Sequence, residues 1–166
     1  LAYGLSSYGL AAQLGIAVPE AAALRDRYFE RFGQVRDYLE GVVERARVDG
    51  WTETILGRRR YLPDLTSDNR RLREMAERAA LNAPIQGSAA DIVKIAMMNV
   101  VDALSEAGLT SRLLVQIHDE LLLEVAPGEA AAVEAIVREK MATPVELSVP
   151  LDVAVGIGAS WQLAAH

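Results

Sequence analysis

Cysteine is absent from this 166-residue chain, which excludes disulfides and thiolate metal centres. With only two histidines, a multi-histidine zinc site is a poor fit. No apolar run approaches the roughly 20 residues that span a bilayer, and Lys94 and Asn99 break the stretch Ile92–Val101. A basic-then-apolar leader is missing too, so a cytoplasmic setting is expected. What is present is an ordinary globular mixture, 51% apolar and 24% charged, unlike collagen, low-complexity tails or disulfide-stapled miniproteins. The length suits one domain, or a small domain with an appendage. The chain opens Leu1-Ala2-Tyr3-Gly4-Leu5-Ser6 in mid-pattern, with no initiator methionine and no capping residue, and so reads as a fragment of something longer.

The formal net charge of -6 argues on its face against a polyanionic partner. Its distribution argues otherwise. Residues 1–80 hold 13 arginines against 12 acids, a net of +1, while residues 81–166 hold 4 basic residues against 11 acids, a net of -7. Between Arg58 and Arg78 lie 7 arginines and 4 acids, concentrated at Arg58-Arg59-Arg60 and at Arg70, Arg71 and Arg73. Such clusters are a footprint of phosphate contacts. The plainer alternative is a solvated helix face with ion pairs, since Arg70/Glu74 and Arg73/Glu77 both sit at i,i+4.

The pattern predicts the end of one helix over residues 1–15, closing near Gly15, a second helix over Glu20–Phe32 opened by Pro19, and a third over Gln34–Asp49 closed by Gly50. Trp51–Leu56 and Arg59–Leu62 read as a hairpin around Gly57-Arg58, stopped by Pro63. Asp64–Asn69 reads as a polar loop. A long helix follows from Arg70 to Ala107, which Pro84 should kink or split. Its second half carries Val93, Met97, Val100 and Leu104 as a core-facing stripe. Leu113–Ile117 and Leu121–Val125 read as a second hairpin, Glu129–Met141 as a helix and Pro150–Val155 as a last strand, with Trp161 packing the tail down. This order predicts an α+β fold whose sheet is antiparallel and packed by helices.

Two groups of residues could carry chemistry. Strand alternation puts Leu113, Val115 and Ile117 on one face and Leu114, Gln116 and His118 on the other. His118, Asp119 and Glu120 then cluster at a hairpin apex between two apolar strands that should be buried. A turn tip favours aspartate anyway, yet a carboxylate on so rigid a support can hold a divalent cation through oxygen. Such a site needs a second carboxylate from elsewhere. Arg78, Asn82 and Gln86 follow one another at four-residue steps, so they share a helix face and span about 12 Å. That length matches about three stacked base pairs at 3.4 Å per step. All three side chains can donate to the purine N3 and pyrimidine O2 acceptors that every base pair shows in the minor groove. The spacing alone leaves an ordinary polar helix face equally open.

The segment Glu77-Arg78-Ala79-Ala80-Leu81-Asn82-Ala83-Pro84-Ile85-Gln86-Gly87-Ser88-Ala89-Ala90-Asp91, followed by Val115-Gln116-Ile117-His118-Asp119-Glu120-Leu121, resembles the family A DNA polymerases of the bacterial DNA polymerase I type. Leu1–Ser6 resembles the tail of that family's fingers helix. Tyr28-Phe29-Glu30-Arg31-Phe32, Gly57-Arg58-Arg59-Arg60-Tyr61-Leu62-Pro63 and the closing Val149-Pro150-Leu151 fit as well, so the resemblance runs from end to end.

The resemblance implies part of a right-hand polymerase fold, with residues 1–63 in the fingers and 64–166 in the palm. It implies that Asp119 ligates the two Mg²⁺ ions (Mn²⁺ can substitute), that Glu120 supports that metal site, and that His118 lies against the sugar-phosphate at the primer terminus. Arg78, Asn82 and Gln86 would contact primer-template DNA. Tyr3, with Gly4, would meet the templating base. Implied partners are primer-template DNA and deoxynucleoside triphosphates, in a monomeric, nucleoid-associated parent enzyme of replication and repair.

The family's other metal-binding aspartate belongs to an Asp-x-Ser-x-x-Glu-x-Arg segment that is missing here, and Asp64 does not replace it. The Arg and Lys that grip the triphosphate are missing too. The isolated chain is therefore expected to hold half a metal site and not to polymerise. Two other readings stand beside this one, a non-catalytic DNA-binding module or remnant, and a metal-dependent hydrolase at Asp119/Glu120.

Overall fold

The computed structural model describes residues 6–164 and divides the chain into two compact units, Leu1–Ser88 and Ala89–His166. Tyr3 and Gly4 lie outside the described residues.

In the first unit, α1 (Ser7–Leu14) starts where the Ser6 hydroxyl accepts the Gly9 N–H at 3.1 Å, a side-chain N-cap. α2 (Val18–Arg31) carries Pro19 in its first turn, where the missing N–H costs nothing. α3 (Gly33–Asp49) ends at Gly50, whose φ of 80° lets its N–H turn back to the Ala46 carbonyl. The chain then reverses through β1 (Trp51–Glu53) and β2 (Arg59–Tyr61), antiparallel with Trp51 opposite Tyr61 and Glu53 opposite Arg59. The strands are shorter than the apolar pattern predicts. The expected polar loop begins as a short 3-10 turn over Pro63–Thr66, which buries Leu65. The core here is built of Ala46, Leu62, Leu65, Ala76 and Ala80, with Val43 and Ala79 beside it. Three of the five buried residues are alanines, which allow backbones to approach closely.

α4 (Arg70–Glu106) is one continuous helix with Pro84 inside it, so of the expected kink or split, the split does not occur. Proline in a helix interior costs about 3 kcal/mol, but only one backbone bond is lost among several turns on each side. The Ser88 hydroxyl donates to the Pro84 carbonyl and accepts the Ile55 N–H at 2.9 Å. The first hairpin is thereby tied to the turn that proline disturbs.

In the second unit Val100 and Leu104 of α4 form a core with Val133 and Val137 of α5 (Ala130–Ala142). Val93 and Met97, predicted on the same stripe, are half-buried. β3 (Arg112–Ile117) and β4 (Glu120–Glu124) form the second antiparallel hairpin, and Leu121 and Leu123 lean on the core. Two expectations fail in it. Simple alternation is broken by a bulge: Leu113 faces Leu123 and Val115 faces Leu122, leaving Leu114 as an extra residue. Nor are both strands buried, since Leu114 is 52% exposed and Val115 43%. A two-stranded ribbon covers one face at most, and the bulge turns these residues away from it.

Pro150–Val155 is not a strand. It is held instead by Arg138, which donates to the Val153 carbonyl at 2.8 Å, and by Val155 packing on the core. Trp161 does not pin the tail. It stands 49% exposed in the short α6 (Trp161–Ala164), and the close approach is made by Gly158, where a Cβ would come within 2.6 Å of the Leu163 backbone. Among the described residues the sheets are these two two-stranded hairpins, and no helix is long and apolar enough to cross a membrane. The α+β class with antiparallel pairing is borne out, on smaller sheets than the pattern implied.

Candidate functional site: a polar helix face and a carboxylate hairpin

α4 puts Arg78, Asn82 and Gln86 on one face, within the first unit. Arg78 and Gln86 are exposed and Asn82 is half-buried. The Oδ1 atom of Asn82 is buried with no hydrogen-bond partner among the described residues. Buried polar atoms are nearly always paired, and this acceptor is an exception. Next to Gln86, a depression of about 190 Å³ is lined by Thr52, Thr54, Arg60 and Gly87 among others. The arginine cluster, however, is not a set of bare cations. Arg58 donates to the Gly87 carbonyl at 3.1 Å. Arg59 lies 4.0 Å above the Trp51 ring and 3.6 Å from the Glu53 carboxylate.

The ion-pair alternative is half right. Arg70 and Glu74 pair at 2.8 Å, and each moves the other's pKa toward the charged form, Glu74 down and Arg70 up. Arg73 and Glu77 go elsewhere. Arg73 donates to the Ser67 and Asp68 carbonyls at 2.7 and 3.1 Å, closing the loop before the helix, and Glu77 meets Arg47 of α3. The reach of tertiary partners overrides i,i+4 spacing here.

What sequence reasoning missed in this unit is the work of Pro84, Gly87 and Ser88. A Cβ on Gly87 would lie 2.7 Å from Thr54 Cγ2 and 3.4 Å from the Arg58 guanidinium. Glycine is needed because the first hairpin sits directly on the helix. The available signal was a glycine next to serine in the middle of a helical pattern, which marks close backbone approach rather than a helix end.

In the second unit His118 and Asp119 are the two turn residues between the paired Ile117 and Glu120. His118 has φ 55°, the one positive φ at a non-glycine among the described residues. Two-residue hairpin turns usually give that conformation to glycine or asparagine, and a larger side chain there costs on the order of 1–3 kcal/mol. Gln116 steadies the turn by donating its side-chain amide to the His118 carbonyl at 2.9 Å. His118, Asp119 and Glu120 are all exposed, so the carboxylates stand open on a tight, strained tip.

Oxygen donors of this kind suit a hard divalent ion, which is commonly held by one or two carboxylates together with substrate phosphates. Among the described residues no group of three or more histidine, aspartate and glutamate side chains could hold a metal by itself. Asp119 and Glu120 therefore fit a shared site rather than a complete one. The helix face and the hairpin belong to different units.

The model of DNA polymerase family A matches residues 1–163. This chain belongs to DNA polymerase family A. Over 166 residues it is 66% identical to the DNA polymerase I of Mycobacterium bovis, covering all of this chain and 18% of that protein. The thermostable DNA polymerase I of Thermus filiformis is 47% identical over 159 residues, which are 96% of this chain and 19% of the relative. Among solved structures, the POL domain of Pol1 from M. smegmatis, in complex with DNA primer-template and dNTP, matches with a TM-score of 0.96 at 62% identity, over 99% of this chain and 29% of that one. The family A chain thus spans about a fifth of the length of the curated relatives it matches. The right-hand polymerase architecture expected from the sequence agrees with that structural match.

Proposed function

We propose that the protein to which this chain belongs is a DNA-directed DNA polymerase, in which residues 1–63 form the later part of the fingers and residues 64–166 most of the palm. The observation that carries this reading is the primer-template and dNTP of the M. smegmatis neighbour, whose fold this chain matches at a TM-score of 0.96. Asp119 and Glu120 offer carboxylate oxygens to divalent ions, two Mg²⁺ with Mn²⁺ as a substitute. Bound metal supplies charge neutralisation at the triphosphate and a more nucleophilic primer hydroxyl. His118, held at the strained tip, faces the primer-terminal sugar-phosphate. Arg78, Asn82 and Gln86 donate to minor-groove acceptors and so sense base-pair geometry without reading sequence. Tyr3 and Gly4 meet the templating base.

The remaining metal ligand and the groups that grip the triphosphate come from outside this chain, so the isolated chain does not extend primers. The parent works as a monomer on the DNA of the bacterial cytoplasm. The test is Asp119→Ala in the full polymerase. Incorporation per bound complex should fall about a thousandfold or more, because metal-held charge stabilisation is worth several kcal/mol, while primer-template affinity stays close to that of the parent. An active Asp119→Ala enzyme overturns the reading. So would a loss confined to DNA binding, which is the behaviour of a binding module.

A further inference from the structure

The open end of the second hairpin is closed by a polar clasp that none of the motif residues enters. Glu129, the residue before α5, accepts from both Thr110 and Ser111, the two residues before β3. Its Oε1 takes the Thr110 N–H at 3.0 Å and the Thr110 hydroxyl at 2.9 Å. Its Oε2 takes the Ser111 N–H at 2.9 Å and the Ser111 hydroxyl at 2.6 Å. The Ser111 hydroxyl also accepts the Ala126 N–H at 2.9 Å, just beyond β4. One buried serine and one carboxylate thus tie the start of β3, the end of β4 and the start of α5 at a single point. Four donors on one carboxylate stabilise its charged form, and its pKa is lowered to about 2, chiefly by the Ser111 hydroxyl.

The clasp matters because of what lies between it and the apex. The bulge at Leu114 lets Arg112 pair with Glu124 below it while Ile117 pairs with Glu120 above it. A slip of one residue would send every side chain of the slipped strand to the opposite face and lift Leu121 and Leu123 off the core. Were β3 to slip by one residue against β4, the two-residue turn His118-Asp119 would become a three-residue turn, 117–119 or 118–120. Asp119 would then stand at the end or in the middle of a longer turn, with its carboxylate re-aimed. The main-chain anchor against that slip is the fixed position of Thr110 and Ser111.

We propose that Glu129, acting through Ser111 and Thr110, is a positioning residue that fixes the hairpin register and so holds Asp119 in its two-residue turn. This rests on the reading of Asp119 as a metal-binding carboxylate, and the test separates the two. In the full polymerase carrying this chain, Glu129→Gln and Ser111→Ala are compared with Asp119→Ala, all normalised to active complexes by titration with primer-template.

Glu129→Gln should slow single-turnover incorporation about 10- to 100-fold, the scale of a 1 Å misplacement. It should raise the Mg²⁺ concentration giving half-maximal rate and leave primer-template affinity within about twofold, since it touches no DNA-binding group. Ser111→Ala should follow in the same direction with a smaller effect, and it supplies the result if Glu129→Gln does not fold. Backbone amide exchange across residues 115–121 should speed up in both variants. A role in stability alone would lower the melting temperature and the active fraction while rate and Mg²⁺ dependence per active complex stayed unchanged, and that outcome overturns the proposal. If Asp119→Ala is inactive and these variants are not slowed, the clasp proposal fails alone. If Asp119→Ala retains activity, it is the reading of Asp119 that fails.

Discussion

The two units hold their functional side chains in opposite ways. In the first, long polar and basic side chains lie along a helix whose backbone is supported over its length, and the first hairpin is pressed onto it at Gly87 and Ser88. In the second, short carboxylates stand on a two-residue turn held locally by Gln116 and, at the far end of a bulged ribbon, by the Glu129 clasp. The charge follows the same division, +1 through residue 88 and -7 beyond it. A helix face tolerates small displacements because long side chains can adjust to a polyanion. A tip that holds metal, as proposed for Asp119, does not, so its register would have to be enforced. Under the proposed function, binding is spread over a surface and chemistry is concentrated at a point.

The comparison breaks most visibly at Arg78. Arg78→Ala in the full polymerase should weaken primer-template binding about 10- to 100-fold, as removal of a charge-assisted hydrogen bond worth 1.5–3 kcal/mol requires. Fluorescence anisotropy at fixed salt measures it, and an affinity like that of Asp119→Ala would erase the distinction between binding face and chemical tip.

Gly87→Ala tests the support of that face. Alanine normally improves a helix interior by about 1 kcal/mol, but here its Cβ would meet Thr54 Cγ2 at 2.7 Å. A loss of about 1–3 kcal/mol in denaturant unfolding is expected from overpacking. A stabilised variant would mean the first hairpin does not press on the helix.

The support of the tip is tested with acid. Glu129 has a folded pKa of about 2, below the ordinary 4.5. Its contribution is therefore complete above the ordinary value and lost as pH falls through the folded one. The wild-type unfolding midpoint should drop across that window, and Glu129→Gln should show a shallower drop from a lower start. Parallel curves would remove the clasp from the stability of the second unit. Least affected should be Arg70→Ala. Its pair with Glu74 lies at the solvent-exposed surface, so no change in unfolding midpoint should be measurable.

Local rules predicted well wherever a residue's own chemistry decides its conformation. Helix ends at Gly15 and Gly50, the start at Pro19, the stripe ending in Val100 and Leu104, and both hairpins could all be read from spacing. The motif residues could be found too, because Arg78, Asn82 and Gln86 share a face by helix periodicity and His118-Asp119 sits between two apolar runs. Errors collected where a competing partner decides. Pro84 sits in an unbroken helix beside a serine that binds its carbonyl. Arg73 and Glu77 ignore each other for a loop and for Arg47. Pro150–Val155 finds a side-chain donor rather than a strand.

What the residues alone determined is the list of elements and the candidate groups, since propensity, capping and periodicity act within a few neighbours. Tertiary structure alone decided that Gly87 must be bare, that Leu114 is surplus to the ladder, and that Glu129 closes the hairpin from 18 residues away. Each of these depends on contact between segments distant in sequence, and steric fit and shared hydrogen bonds exist only once those segments have met.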